Sequence, residues 1–514
     1  MFPLLKTLYV WSRRIPAGFL IPLALLMAAY LFLITLALES MNTADIADFT
    51  AEALKYLTGI QLPTRLVIVR VLLEGLAISL LLLAGLLSSY NVAALTHRLL
   101  RRRPEVVVHD PAPVSAGAGN RLDGFEKIGI ILSGGGAKGA YQAGAMKAIH
   151  EFLEQNNALH KVRMIAGTSI GSWNAMFWMA GLVKPPTPGA PSAHEAWWRS
   201  IRVGRIAEFA SYWPLSRNYF LWSTPWQETF QDLFVETPSV QERLTALFAA
   251  QEGAQDPPLH CYFTRSNVEG GNLEFATNWP GIRALRRPNL QTESLDDEEP
   301  VVPADRYEVI EGDDPRACLD RTRQAVFASM DLPPLFPYMK IKIDREEVFE
   351  DGGVVDNLPV WFGTQIEQCD LLFILPLNAS FAEPVNQTSI AKRLFRVMDV
   401  RQGVLERNSL KLAYLYNELA SARNAQQASG RELKVLRLRG RHRPVSVFAI
   451  CPEHPLAIGT AEFWKAGEAG QAFDLMYSAT KYELGEKFEE AARPDWIRMT
   501  LVSPFGERTY VDDF

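Results

Sequence analysis

Cysteine is scarce: Cys261, Cys318, Cys369 and Cys451 are the only four in 514 residues. No Cys-x-x-Cys spacing exists, so neither a thiolate zinc site nor a redox pair is indicated, and a reducing compartment is the simplest setting. An excess of basic charge is also missing. Lys and Arg number 52 against 58 Asp and Glu, a net charge of -6, which gives no global footprint for nucleic acid. Histidine is sparse as well, with eight residues and none in an obvious strand-end motif. His454, beside Cys451, is too isolated for a metal site. No internal repeat is present. Charged residues make up 21% and hydrophobic residues 48%, so most of the chain is expected to be globular or membrane-embedded rather than disordered.

Long charge-free runs are abundant near the start. Ile15 to Leu38 reads IPAGFLIPLALLMAAYLFLITLAL, roughly 24 residues or about 36 Å of helix, enough to cross a hydrocarbon core. A secretory signal has a shorter apolar region and a small-residue cleavage site. Gly75 to Thr96 is a second run without Lys, Arg, Asp or Glu, and its helix can begin as early as Leu66. The N-terminal region, 1–103, is therefore read as two transmembrane helices, about 15–38 and 66–96. Lys6, Arg13 and Arg14 precede the first, and Arg98, Arg101, Arg102 and Arg103 follow the second. The positive-inside rule then puts both ends in the cytoplasm. The expected location is the membrane, multi-pass, with everything after Arg103 cytoplasmic. Arg70 and Glu74 share a helical face, either as an interfacial ion pair or as a functional pair inside the membrane.

Residues 104–124 are rich in Pro, Ala and Gly and read as a linker. The pattern then alternates. KIGIIL (127–132) is a strand, Ala140 to Gln155 a helix, VRMIAG (162–167) a strand, and SIGSWNAMFWMAG a helix. DLLFILPL (370–377) is a later central strand. This order predicts an α/β fold with a mainly parallel sheet and helices on both faces.

Gly134 to Gly139, GGGAKG, fits G-x-G-x-x-G after a strand. A dinucleotide site would also need an acidic residue at the end of the second strand. VRMIAG runs instead into Gly167-Thr168-Ser169-Ile170-Gly171. That G-x-S-x-G lies between a strand and a helix, where a nucleophile elbow sits; a tight turn with a serine cap is the structural alternative. The two motifs fit one chemistry. Acyl transfer needs a nucleophile and donors for an oxyanion, and glycine amides are unobstructed donors. Lys138 either adds positive charge there or pairs with a local carboxylate. A serine also needs a base, usually histidine. His150, His160 and His194 lie between or beside the motifs, but Asp351 in EDGGVVDNLP is the better candidate. Asp344 and Asp356 are rivals, and a turn-forming Asp-Gly is the alternative role. Burial is expected to raise the Asp351 pKa toward neutrality.

GGGAKG, GTSIG, ASMDLPPLFP (328–337) and DGG, in this order, resemble the patatin-like phospholipase family over roughly residues 126–380. The resemblance implies a three-layer α/β/α fold and hydrolysis of fatty-acyl esters without metal or cofactor. It implies Ser169 as nucleophile and Asp351 as base, followed by Gly352 and Gly353. Gly134, Gly135, Gly136, Ala137, Lys138 and Gly139 would supply the oxyanion hole. The catalytic domain is then 125–380, with a cap or insertion at about 183–327. That insertion holds Trp197, Trp198, Trp213, Trp222 and Trp226, either a lipid-contacting lid or a helical cap with its own core. The extension, 381–514, reads as helices and strands that could extend the sheet, with no chemistry of its own. The expected function is a membrane-anchored serine hydrolase acting on phospholipids or lysophospholipids of the bilayer. A nucleotide-binding membrane protein and a non-catalytic scaffold on the same fold are the competitors.

Overall fold

The structure is a computed structural model. It describes residues 121–511 apart from 188, 210–218, 249–256, 286–305, 313, 344, 379–389, 430–442, 455, 492–496 and 504–505. The expected transmembrane pair, 15–38 and 66–96, and most of the 104–124 linker lie outside the described residues. Among the described residues no helix is long and apolar enough to cross a membrane. The last linker residues are packed rather than free: Leu122 is buried, and Arg121 forms an ion pair with Glu489 at 2.7 Å.

The chain opens with strand β1 (Ile128–Leu132), helix α1 (Gly139–Gln155), strand β2 (Val162–Gly167) and helix α2 (Ile170–Met179). Helices α3 (Ala193–Arg199), α4 (Thr224–Phe230) and α5 (Pro238–Phe248) follow, with a single helical turn at Val203–Ile206 between the first two. Next come β3 (His260–Asn267), β4 (Asn272–Thr277), β5 (Arg306–Val309) and helix α6 (Pro315–Met330). The hairpin β6 (Met339–Lys342) and β7 (Glu346–Asp351) leads to β8 (Leu371–Leu375). The remainder is helix α7 (Ile390–Ser429), β9 (Ser446–Pro452), helix α8 (Ala466–Glu486), β10 (Ile497–Val502) and β11 (Arg508–Val511).

The strands form one mixed sheet in the order β11-β10-β9-β8-β1-β2-β3-β4-β5, with β7 beside β3 and β6 beside β7. The run from β10 through β3 is parallel. Strand side chains alternate between faces, and so does the core. Ile128, Ile130, Leu132, Phe373 and Phe448 pack with α1, α2 and α8 on one face. Ile131, Leu372, Ile374 and Val447 pack on the other with Phe362 and with Leu410 and Ala413 of α7. The predicted layering of helices about a mainly parallel sheet is observed.

Two boundaries can be set against the sequence reading. The 381–514 extension does extend the sheet, as its strand-like runs allowed. β9, β10 and β11 complete the sheet, α8 packs along α1, and 105–514 is one compact unit. A strand buried on both faces reads the same wherever it enters a sheet, so sequence alone could not fix its neighbour. The insertion is also shorter than 183–327, because β3, β4 and β5 belong to the main sheet. What remains before residue 260 is a helical cap. Trp197, Trp198 and Trp226 are buried, and Trp173 of α2 packs against Trp197, Trp226, Phe230 and Phe234. These aromatics fill a core shared with α2 rather than a lipid-facing surface; Trp213 lies outside the described residues.

Candidate active site

The site is built at the carboxyl ends of β1, β2 and β7. β2 ends in Gly167, Thr168 turns the chain, and α2 begins at Ile170. Ser169 caps that helix with φ 52° and ψ −124°, a region a non-glycine residue occupies only under strain. The turn is held from three sides. Ser169 N donates to Ser329 Oγ (2.8 Å), Ser329 Oγ pairs with Ser172 Oγ (2.9 Å), and Ser172 Oγ donates to Gly167 O (2.9 Å). Thr168 Oγ1 pairs with Thr264 Oγ1 on β3 (2.7 Å). Gly171 has to be glycine, because a Cβ there would collide with the Leu132 carbonyl.

Asp351, at the end of β7, is fully buried. Gly353 N donates to its Oδ1 (2.7 Å), and Asp351 N donates to Asp331 O (3.1 Å). Its Oδ2 is buried with no hydrogen-bond partner. Burial pushes the carboxyl up to about 7, against the opposing pull of the Ser169 hydroxyl and the Gly353 amide. This is the direction expected from the sequence. Ser169 and Asp351 line one cavity with Gly135 and Gly136. The rest of its wall is mostly apolar, with Trp226, Met330, Leu332, Leu335, Phe336 and Phe463, and is joined by the polar Gln402 and Thr460.

The glycine loop is narrower as a donor set than its six residues suggest. Gly134 N donates to Asn357 O, Ala137 N to Thr460 O and Lys138 N to Gly135 O, and Gly139 N turns back into the loop. Among the described residues, nothing takes the amides of Gly135 and Gly136. Lys138 points away from the cavity, to Asp399 (2.8 Å) and Asn378 (3.0 Å), so of its two sequence-level roles it takes the local ion pair. The loop is also closely covered on one side. Gly136 has φ 57°, and a Cβ on it would collide with the Thr460 carbonyl that covers the loop.

The alternative bases are tied up elsewhere. Asp356 accepts from Leu358 N (3.1 Å) and Trp361 Nε1 (3.1 Å). His194 pairs with Asn174 (2.9 Å), and burial lowers its pKa to about 3. His150 and His160 lie at the other end of β2, outside the Ser169 cavity. Asp344 lies outside the described residues.

Several supporting groups carry no sequence signal. Glu406 on α7 accepts from Asn357 Nδ2 (2.7 Å), Asn378 Nδ2 (2.9 Å) and Asn378 N (3.1 Å). Asn357 Nδ2 in turn reaches Gly134 O (3.1 Å). Asp399 Oδ1, also on α7, accepts from Lys138 and from Thr460 Oγ1 (2.7 Å). The helix thus anchors the glycine loop at both ends. Asp331 is buried next to Asp351, and burial together with that neighbour raises its carboxyl pKa well above the usual range. Asn357 and Asp331 stood inside quoted motifs, EDGGVVDNLP and ASMDLPPLFP. Glu406 and Asp399 were two acids among many on a helix of mixed charge.

Residues 130–362 match the family model described as patatin-like phospholipase. No curated protein sequence matches the chain. Among solved structures, the chain is similar to VipD from Legionella pneumophila at 16% identity and a TM-score of 0.30, covering 70% of this chain and 67% of that one.

Proposed function

We propose that the chain is a membrane-anchored serine lipid acyl hydrolase, a carboxylic ester hydrolase acting on phospholipids or lysophospholipids. One observation carries the reading: a strained serine, a buried carboxyl and two unclaimed glycine amides face one mostly apolar cavity. Ionised Asp351 takes the Ser169 proton as the oxygen attacks an acyl carbonyl. The tetrahedral oxyanion is held by the amides of Gly135 and Gly136 and favoured by the N-terminus of α2. Asp351 returns that proton to the alcohol oxygen as the alcohol departs, leaving an acyl-Ser169 ester and an ionised Asp351. Water then gives a proton to Asp351 as it attacks the ester, and Asp351 passes that proton to the Ser169 oxygen as the fatty acid is freed. The apolar wall suits an acyl chain. The cavity, about 30 Å³, has room for little more than one water, so substrate entry requires the wall segments at 330–336 and 460–463 to part.

Fatty-acid release by the full-length protein in mild detergent, from a panel of phospholipids and lysophospholipids, tests the reading. Ser169→Ala and Asp351→Asn are expected to abolish release with the fold intact. No release from the wild type, or release that survives Ser169→Ala, would overturn it. Membrane anchoring through 15–38 and 66–96 predicts that alkaline carbonate leaves the chain in the membrane pellet; extraction into the supernatant would remove that part alone.

A further inference from the structure

A larger groove lies at the other edge of the sheet from Ser169. It opens where β2 begins, and the six residues of that strand put about 20 Å of extended chain between the two places. The groove measures about 680 Å³, within the range of pockets that hold one small ligand. Its apolar lining is Leu159, Val162, Trp178, Met179, Leu247 and Leu259. At one end it meets a shallow depression that includes Glu126, Lys161 and Lys127, the last paired with Glu367 at 2.6 Å, and Arg163 belongs to both.

Arg163 is the informative residue. It is half-buried, and among the described residues its guanidinium has no ion-pair or hydrogen-bond partner. A guanidinium taken partly out of water without a partner is uncompensated, and its planar fork matches an oxyanion. The other charges along the groove leave a positive balance. Lys184 is paired with Glu154 at 2.8 Å, and Arg243 Nε donates to Met179 O at 2.9 Å. Glu242 is an exposed carboxylate on the rim. His150 is neutral near pH 7, because burial lowers its pKa to about 4.

We propose that this groove binds a single-chain lipid anion, with the acyl chain on the apolar lining and the head group on Arg163. The source rests on the hydrolase reading: the anion is a fatty acid, the product released at Ser169. A lysophospholipid phosphate would offer the same charge to the same guanidinium.

The test uses the full chain carrying Ser169→Ala, in phosphatidylcholine nanodiscs, labelled with a diazirine-bearing palmitate and mapped by mass spectrometry. Adducts are expected on Leu247 and Leu259, distinct from adducts on Met330 to Phe336 of the Ser169 cavity. Palmitate should compete and methyl palmitate should not. Arg163→Gln should cut groove labelling about tenfold, as for loss of a charge-assisted contact, while Arg163→Lys retains most of it. Stronger competition by lysophosphatidate than by palmitate would keep the site and reassign the head group to phosphate. Absence of groove adducts, equal competition by the methyl ester, or labelling unchanged in Arg163→Gln would overturn the proposal. The labelling needs no turnover, so its failure and failure of the hydrolase assay are separate results.

Discussion

In the proposed reaction Asp351 carries two demands that conflict. As the proposed base it must be ionised, and as a fully buried carboxyl it resists ionisation. With its pKa pushed up to about 7, only the ionised form can accept the Ser169 proton. The rate of fatty-acid release should therefore climb as pH rises through about 7, and a profile already flat at pH 5 would contradict this. The same shift has a cost in stability. A carboxyl whose folded pKa lies above its unfolded value stabilises the fold fully below the unfolded value, and that contribution is lost as pH rises through the folded one. Asp351→Asn removes the ionisable group. Its thermal midpoint should exceed that of the wild type by more at pH 8 than at pH 5, an exchange of stability for activity.

The elements divide the work: the β2–α2 turn presents Ser169, and α7 steadies the loop opposite. Glu406 accepts only from donors, so Gln at that position would set an NH₂ group against other N–H groups. Glu406→Gln is expected to lower kcat by about tenfold to a hundredfold, below the full cost of losing an oxyanion donor, with KM little changed. A rise in KM at constant kcat would instead place Glu406 in substrate binding. Gly171→Ala should fail to fold or leave Ser169 inactive, because the new methyl meets the Leu132 carbonyl; circular dichroism and activity together distinguish these outcomes. The turn was legible in the sequence because a strand, G-x-S-x-G and a helix follow one another within a few residues. The steadying contacts were not, because Glu406 and Thr460 reach the loop only after the chain has crossed the sheet several times.

On the scale of the molecule, the motif-bearing segment and the folding unit are different objects. Residues 130–362 carry the family match, yet the sheet they begin is finished by β9, β10 and β11. A chain ending at residue 380 would leave β8 as a bare edge and expose the α1 surface that α8 covers. It should be insoluble or rapidly degraded by added protease, whereas one beginning at residue 105 keeps the whole compact unit. Of these later strands only β9 reads as a strand in the sequence, in VSVFAI; the short β10 and β11 carry no comparable signal. Their place in the sheet depended on packing that local pattern does not record.

The cover that Thr460 places over Gly136 and Ala137 also orders events in time. The two partners are separated by on the order of 300 residues, which a ribosome takes roughly twenty seconds to a minute to add. For most of that interval the nascent chain holds the serine but lacks the contact that fixes the loop opposite it. The proposed lipid-cleaving capacity would then arrive late in synthesis, and a chain stalled before residue 460 would lack it.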